Sequence, residues 1–343
     1  MRINCHCHIF SVDCVPLEYR NRFLLNHEKP GTRRLHRLLR FVLPKQSWAA
    51  DFLSFVDLSI LEIAEKLVLE MDEAGIELAA PLMMDMAYCK GFSGEVKPYE
   101  DQIAETAEAA RVINERHGRT RLMPFIAADP RRPNMLELVQ RHIESGDFHG
   151  VKIYPVMGFS PIDSRLEPLY AWCEEEQIPI TTHCKRHGGI PGLEAWFHLA
   201  DPANWELVLR DFPKLKLNLA HNDWLIRSWR KKIEKLIRKF PNVYTDVSYG
   251  DEMWYVPRRY FRGLQRMLNH PEIQNRVLYG TDWYMGRFMW SEASYVKWFE
   301  EYARKIFWCR VDFTVRELWL LMENNPKSFL GMQARSEAIR DNE

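Results

Sequence analysis

The sequence predicts an α/β protein of the (β/α)8 TIM barrel class, and three observations predict it. Eight short apolar, β-branched runs succeed one another along 343 residues. Helical periodicity of about 3.6 fills most of the intervals between them. From the second run onward, the starts lie about 27 to 45 residues apart, room for one strand and one helix each. Eight such units argue for one barrel over 1–343 rather than two domains.

The runs, in order, are "RINCHCHIF", "IELAAPLMMDM", "RLMPFIAADP", "GVKIYPV", "IPITTHC", "LKLNLAHN", "NVYTDVS" and "RVLYGTDWY". Before the second, Ile60, Ile63, Ala64, Leu67, Val68 and Met71 form one apolar stripe that ends at Gly75, a natural C-cap. "DQIAETAEAARVINERHG" repeats this arrangement and stops at Gly118. Pro133, Pro202 and Pro213 fall where helices start or stop. "DWLIRSWRKKIEKLIRKF" reads as the helix after the sixth run, with a solvated basic face. From about residue 312 the chain reads as a closing helix that ends near "NNPKSFLG", followed by a charged tail.

The first interval is longer than one helix needs, so residues 16–57 read as a helical insertion after strand 1. Between residues 20 and 45 it carries Arg20, Arg22, Lys29, Arg33, Arg34, Arg37, Arg40 and Lys45 against Glu28 alone. Loops after barrel strands lie on the face where active sites form. The insertion is thus a solvated helical face, a lid attracting an anionic substrate, or a nucleic-acid or membrane contact.

Composition narrows the function. Forty-seven basic residues balance forty-seven acidic ones, which denies the chain the overall field of a nucleic-acid binder. No window has the roughly 18 apolar residues of a membrane span, and the polar "NCHCH" interrupts any secretory signal. Seven scattered cysteines read as reduced thiols, which places the chain in the cytoplasm.

Strand alternation puts His6 and His8 on one face and sends Cys5 and Cys7 to the other. The histidines suit the barrel interior near its mouth, the cysteines the packing behind it. A cysteine zinc knot would need a second cluster such as C-x2-C, and none exists. His183 ends run 5, His221 run 6 and Asp282 run 8. Each alone could cap the next helix, but together they suggest ligands at the rim. Three imidazoles and a carboxylate suit zinc or a similar ion with one position open for water. Such an ion lowers the pKa of water from about 16 to ~7, and His221 could exchange protons in that range. Asp282 could ligate the ion or take the proton from water.

HxH on strand 1, histidines on strands 5 and 6, and aspartate on strand 8 resemble the amidohydrolase superfamily. "GVKIYP", "PITTHC", "LYGTDW" and "NNPKSFLG" are similar to the branch typified by aminocarboxymuconate-semialdehyde decarboxylase. The resemblance spans nearly the whole chain outside 16–57. It implies that His6, His8, His183 and Asp282 bind one divalent metal, usually zinc, with His221 as the acid or base beside it. Lys152 opens a fork: a carboxylated lysine on strand 4 would bridge two ions, with His183 and His221 shifted to the second. Tyr154, Arg186, Trp224 and Trp283 are candidate substrate contacts. Lys185, His187, Asp246, Trp254 and Tyr284 are placed around the same mouth.

The expected activity is metal-dependent hydrolysis of an ester, lactone or amide in a small carboxylated substrate. A decarboxylase would use the same ligands, and a non-catalytic scaffold would leave them without a task. A nuclease would need a glutamate on strand 3, where the run ends "AADP". The resemblance favours a homodimer.

Overall fold

In a computed structural model of the chain, described for residues 1–23, 55, 58–186, 192–285, 290–307 and 309–332, the eight runs become eight parallel strands. These are β1 (Ile3–Cys7), β2 (Leu78–Pro81), β3 (Phe125–Ala127), β4 (Gly150–Ile153), β5 (Ile180–Thr182), β6 (Leu217–Leu219), β7 (Val243–Asp246) and β8 (Val277–Leu278). Strands β3 to β8 form one six-stranded sheet in sequence order, and β1 pairs with β2. Single parallel bridges join these sheets at both seams: Ala79 to Leu122 and Leu82 to Phe125 on one side, Cys7 to Trp283 on the other. The barrel closes through them.

The helices form for the reasons the sequence offers. Helix α1 (Leu17–Phe23) is the described part of the insertion; most of 16–57, with its cluster of basic residues from Lys29 to Lys45, lies outside the described residues. Helix α2 (Ile60–Ala74) buries the expected stripe. Ser59 and Glu62 form a capping box at its start, and Gly75 closes it in the left-handed conformation that glycine tolerates. Helix α3 (Tyr99–His117) stops at Gly118. Helices α4 (Met135–Glu144), α5 (Glu167–Glu175), α6 (Pro202–Asp211), α7 (Arg227–Lys239), α8 (Pro257–Leu268) and α9 (Glu292–Lys297) cover the remaining strands. Pro202 occupies the first turn of α6, as expected. The closing helical segment begins at a Thr314 capping box and ends in α10 (Asn325–Phe329). No helix among the described residues is long and apolar enough to cross a membrane.

Two packed regions result. Helix faces and outward strand residues such as Ile126, Val151, Leu217 and Val243 make the larger core. Ile3, Leu78, Ala80, Phe125, Tyr244 and Leu278 fill the barrel interior, plugged by Phe329 and Leu330. Cys7 joins the outer core, as the alternation predicts, but Cys5 lies in the inner cluster. The reason is an irregularity in β1. Asn4 pairs with Ala79 and Cys7 with Pro81, so three steps on β1 match two on β2. One extra residue resets the alternation, and Cys5 and His6 both serve the interior.

Candidate metal centre

His6 stands next to last in β1 and His8 just beyond it at the barrel mouth, both buried. Their tautomers follow from their partners. His8 Nδ1 lies 2.7 Å from the Leu82 carbonyl, which can only accept, so Nδ1 carries the proton. The lone pair of His8 Nε2 then faces Asp282 Oδ1 at 3.0 Å. His6 Nδ1 likewise donates to Asp246 Oδ2 at 2.9 Å. Its Nε2 is buried without a hydrogen-bond partner, 3.6 Å from the same Asp282 oxygen. Ligand atoms of His6, His8 and Asp282 all lie within 4.8 Å of one another. Two lone pairs and a carboxylate facing each other in a buried site repel. One proton relieves one pair, whereas a cation relieves all three contacts. The donor set therefore fits a divalent metal.

His183 does not join that trio. Its Nδ1 lies 3.1 Å from His221 Nε2, and its Nε2 is buried without a partner. The Ser248 hydroxyl reaches His221 Nδ1 at 2.9 Å and donates to Asp246 Oδ1 at 2.5 Å. A consistent proton order runs from His183 Nδ1 to His221 Nε2, from His221 Nδ1 to Ser248, and from Ser248 to Asp246. It leaves a third imidazole lone pair, on His183 Nε2. Burial, followed by the charge of His6, pushes His221 down to about 3, so its neutral form prevails. Burial also lowers His183 and His6.

Asp246 ties the two groups together. His6 Nδ1 and Asn218 Nδ2 donate to Oδ2, while the His221 N–H, the Ser248 N–H and the Ser248 hydroxyl donate to Oδ1. Burial would raise its pKa, but His6, His221 and these bonds outweigh burial and hold it well below the usual carboxylate range. Asp282 is depressed too, against burial, because a proton on any of the neighbouring imidazoles of His8, His6 and His221 favours its carboxylate form. His221 and Asp282 both have positive φ, 76° and 59°, a conformation that costs a non-glycine residue energy and gathers at functional sites. Gly280 lets His6 sit where it does: a Cβ there would stand 2.7 Å from the His6 Cβ.

A second layer supports His6 from outside the barrel. The His6 N–H donates to Asn4 Oδ1 at 3.0 Å, and Asn4 Nδ2 donates to Glu292 Oε1 at 3.1 Å. Thr281 Oγ1 donates to the same carboxyl oxygen at 2.5 Å. Burial raises Glu292 from 4.5 to about 8, helped by Glu70 and opposed by Thr281 and Asn4. A carboxyl kept protonated only in the folded state favours the unfolded chain increasingly as pH rises from 4.5 to about 8. Glu292→Gln removes that dependence. Chemical denaturation from pH 5 to pH 9 is expected to show the variant gaining on the wild type by on the order of 3–5 kcal/mol across this window. A constant difference would mean that Glu292 is ionised in the fold.

Lys152 is buried beside the centre, its Nζ 5.5 Å from the Tyr154 ring, which in turn lies 4.7 Å from His183. Burial pulls Lys152 down to about 8, against the opposing pull of Asp282 and Asp246. Trp283 is buried against Phe55 and Tyr284, at ring distances of 5.6 and 5.8 Å. Trp224 is placed elsewhere than at the mouth: it packs 5.0 Å from Tyr260 of α8. His221, Asn222 and Asp223 all have positive φ, and this turn carries the chain outward before Trp224. Arg186 is exposed, held by its N–H to Asp223 Oδ2, and His187 lies outside the described residues. Lys185 is committed to Asp251 and Glu252, at 2.8 and 3.0 Å. Sequence reasoning placed Asp246 at the mouth but missed its anchoring role, and missed Ser248, Asn218 and Asn4 altogether. The available signal was "TDVS", a strand ending in aspartate as the eighth run does.

A family model described as Amidohydrolase matches residues 3–331. Among solved structures, an uncharacterized TIM-barrel protein from Bordetella bronchiseptica aligns with a TM-score of 0.63 at 18% identity, covering 97% of this chain and 99% of its own. The phosphotriesterase homology protein of Escherichia coli, solved with phosphate in its active site, aligns at 0.53 and 12%, covering 96% and 98%. The atrazine chlorohydrolase TrzN of Arthrobacter aurescens, complexed with zinc, aligns at 0.52 and 14%, covering 97% and 71%. At such identities these likenesses establish the barrel fold. A comparison with curated proteins finds no match.

Proposed function

The chain belongs to the amidohydrolase family, and from that premise we propose that it is a metal-dependent hydrolase of a small, carboxylated ester, lactone or amide. The observation that carries the reading is the convergence of His6 Nε2, His8 Nε2 and Asp282 Oδ1 in one buried spot. His6, His8 and Asp282 would hold one divalent ion, with His183 Nε2 as a further donor. Imidazole and carboxylate donors make zinc the first choice. When bound, the ion supplies Lewis acidity that polarises a scissile carbonyl and acidifies water.

The protein's own groups handle the proton. His221, held neutral, is the base: its one lone pair is on Nε2, and it accepts the proton there in place of the His183 Nδ1–H contact and returns it to the leaving group. Ser248 and the ionised Asp246 behind it stabilise the resulting imidazolium. Tyr154 and Trp283 line the approach and exclude water, and the exposed Arg186 is the cation for a substrate carboxylate. With Lys152 lowered to about 8, part of its population is neutral amine at neutral pH, the form that combines with carbon dioxide. Carboxylation there would add a second ion and draw His221 into ligation.

Metal removal tests the reading. Chelation is expected to abolish turnover and to lower the melting temperature, because an ion present at 100 times its dissociation constant stabilises the fold by about 2.7 kcal/mol. Zinc should restore both. A chelated protein that keeps its activity and its melting temperature would overturn the proposal. Product analysis on carboxylated substrates separates the chemistries: release of carbon dioxide without cleavage of an ester or amide would make the enzyme a carboxy-lyase on the same site.

A further inference from the structure

An open groove lies along the outer flank of α8, away from the metal centre. It has a volume of about 950 Å³ and is lined by Tyr255, Arg258, Arg259, Arg262, Arg266 and Arg310. Its charge is unusual for a chain whose formal net charge is zero. Helix α8 carries four arginines and no acidic residue. Arg258, Arg262 and Arg266 follow one another at four-residue spacing, so like charges stack on one helical face, an arrangement that disfavours the isolated helix. All five arginines are exposed, and none forms an ion pair with a carboxylate among the described residues. The start of α8 adds to the field, since it has no side-chain cap and no acid in its first turn. Arg230 of α7 registers that field: burial and then Arg266, Arg259 and Arg227 push it below its usual range, against Glu234.

We infer that this groove is a second binding site, for a nucleotide carrying two or three phosphates. The choice of ligand follows from three features. Every cation here is arginine, whose planar fork pairs with two oxygens at once, as phosphate or carboxylate offers them. Five unneutralised guanidinium groups call for several negative charges in a small volume, which a polyphosphate supplies and one carboxylate does not. Aromatic rings accompany the arginines: Tyr255, in the lining, is 74% exposed, and Phe307, 76% exposed, has the Arg310 guanidinium 5.1 Å from its ring. Flat exposed rings beside a phosphate cradle suit a stacked heterocyclic base. A groove of this volume takes a nucleotide in full. A second copy of the chain is a poor occupant, because a two-fold contact would set arginines against arginines.

Calorimetric titration of the full-length protein with adenosine, AMP, ADP, ATP and inorganic triphosphate tests the inference. ATP is expected to bind at least roughly tenfold tighter than AMP, triphosphate to bind more weakly than ATP, and adenosine not to bind. Affinity should fall as salt rises from 50 to 200 mM. The Arg258→Gln, Arg266→Gln, Arg310→Gln triple variant should bind ATP at least about tenfold more weakly, with metal content and basal activity unchanged. That variant also separates the groove from ATP captured at the metal centre. Should it fail to fold, Arg310→Gln alone, in a loop, should give a smaller loss in the same direction. Equal binding by wild type and variant, indifference to phosphate number, or binding of single-stranded RNA or anionic vesicles in place of ATP would each overturn the inference. The outcome is independent of the reaction assigned to the metal centre.

Discussion

His6→Ala, His8→Ala is expected to arrive from purification without its metal and with turnover reduced at least about a thousandfold. Both imidazoles present Nε2 to one Asp282 oxygen, so the double change deletes half of the proposed donor set and the whole contribution of β1. What remains, Asp282 and His183, cannot hold a divalent ion against water, because each lost donor takes its share of the binding energy. The structural consequences are smaller. Asp246 keeps four of its five donors, and the Leu82 carbonyl loses one. In chelator, the variant should therefore melt close to the chelated wild type, since the substitution also removes two lone pairs that face a carboxylate. With zinc, the gap should widen, since only the wild type gains the stabilisation of a bound ion. Full metal content and full activity in the variant would remove the centre from the mechanism. Cys5→Ala, Cys7→Ala is the control. Burial pushes both thiols well above their usual range, so neither offers a thiolate, and the metal should stay. Its loss would show that a sulfur lies in the coordination sphere.

Much of this fold is legible along the chain because the signals are local. Period-two runs mark the strands, and the stripe from Ile60 to Met71 with Gly75 behind it marks a helix and its end. The residues at the mouth are legible for a related reason: a histidine or aspartate at the end of a barrel strand has few places to go. Failures occur where a local rule meets a non-local event. Cys5 was expected beside Cys7, but one extra residue opposite β2 resets the alternation, and nothing between Asn4 and Cys7 announces it. Trp224 stands three residues past His221, close enough to be expected at the mouth. Three successive residues of positive φ turn it under Tyr260 instead. Lys185, expected around the mouth, is met by Asp251 and Glu252, which arrive 66 and 67 residues later in the sequence. Asp246 is the most instructive case. Its type and its place at a strand end were visible. Its saturation by donors from β1, β6 and the turns after β6 and β7 is a property of the closed barrel alone.

Asp246→Asn is expected to lower metal affinity 10- to 100-fold although Asp246 need not touch the ion. Its two oxygens accept five hydrogen bonds, two on Oδ2 and three on Oδ1. An amide must turn its NH2 toward one of those groups. Facing Oδ2's partners, it meets His6 Nδ1 and Asn218 Nδ2; facing Oδ1's partners, it meets the His221 and Ser248 N–H groups and the Ser248 hydroxyl. Either way at least two buried donors lose their acceptor, at about 1–3 kcal/mol each. Relief from burying a charge offsets part of this loss, so unfolding free energy should fall by about 2–4 kcal/mol. The effect on the metal comes through tautomers. Without a carboxylate at Nδ1, His6 no longer has its proton fixed there, and its Nε2 lone pair is no longer always available. The effect on turnover comes through Ser248, which would lose the anion that supports a charged His221. The pH dependence has a definite sign. Asp246 is held below the usual carboxylate range, so its stabilisation is present above pH ~4 and is lost only as pH falls through the lower folded value. The stability difference between wild type and variant should thus be flat from pH 6 to 8 and shrink in acid. Ser248→Ala separates the two routes. It should leave metal affinity within a few-fold of wild type and lower turnover, since it breaks the link to His221, whereas His6 Nδ1 loses the hydroxyl 3.0 Å away but keeps Asp246 Oδ2 as its acceptor at 2.9 Å. Equal metal affinity in Asp246→Asn and the wild type would show that the orientation of His6 is set by Gly280 and the β1 backbone alone.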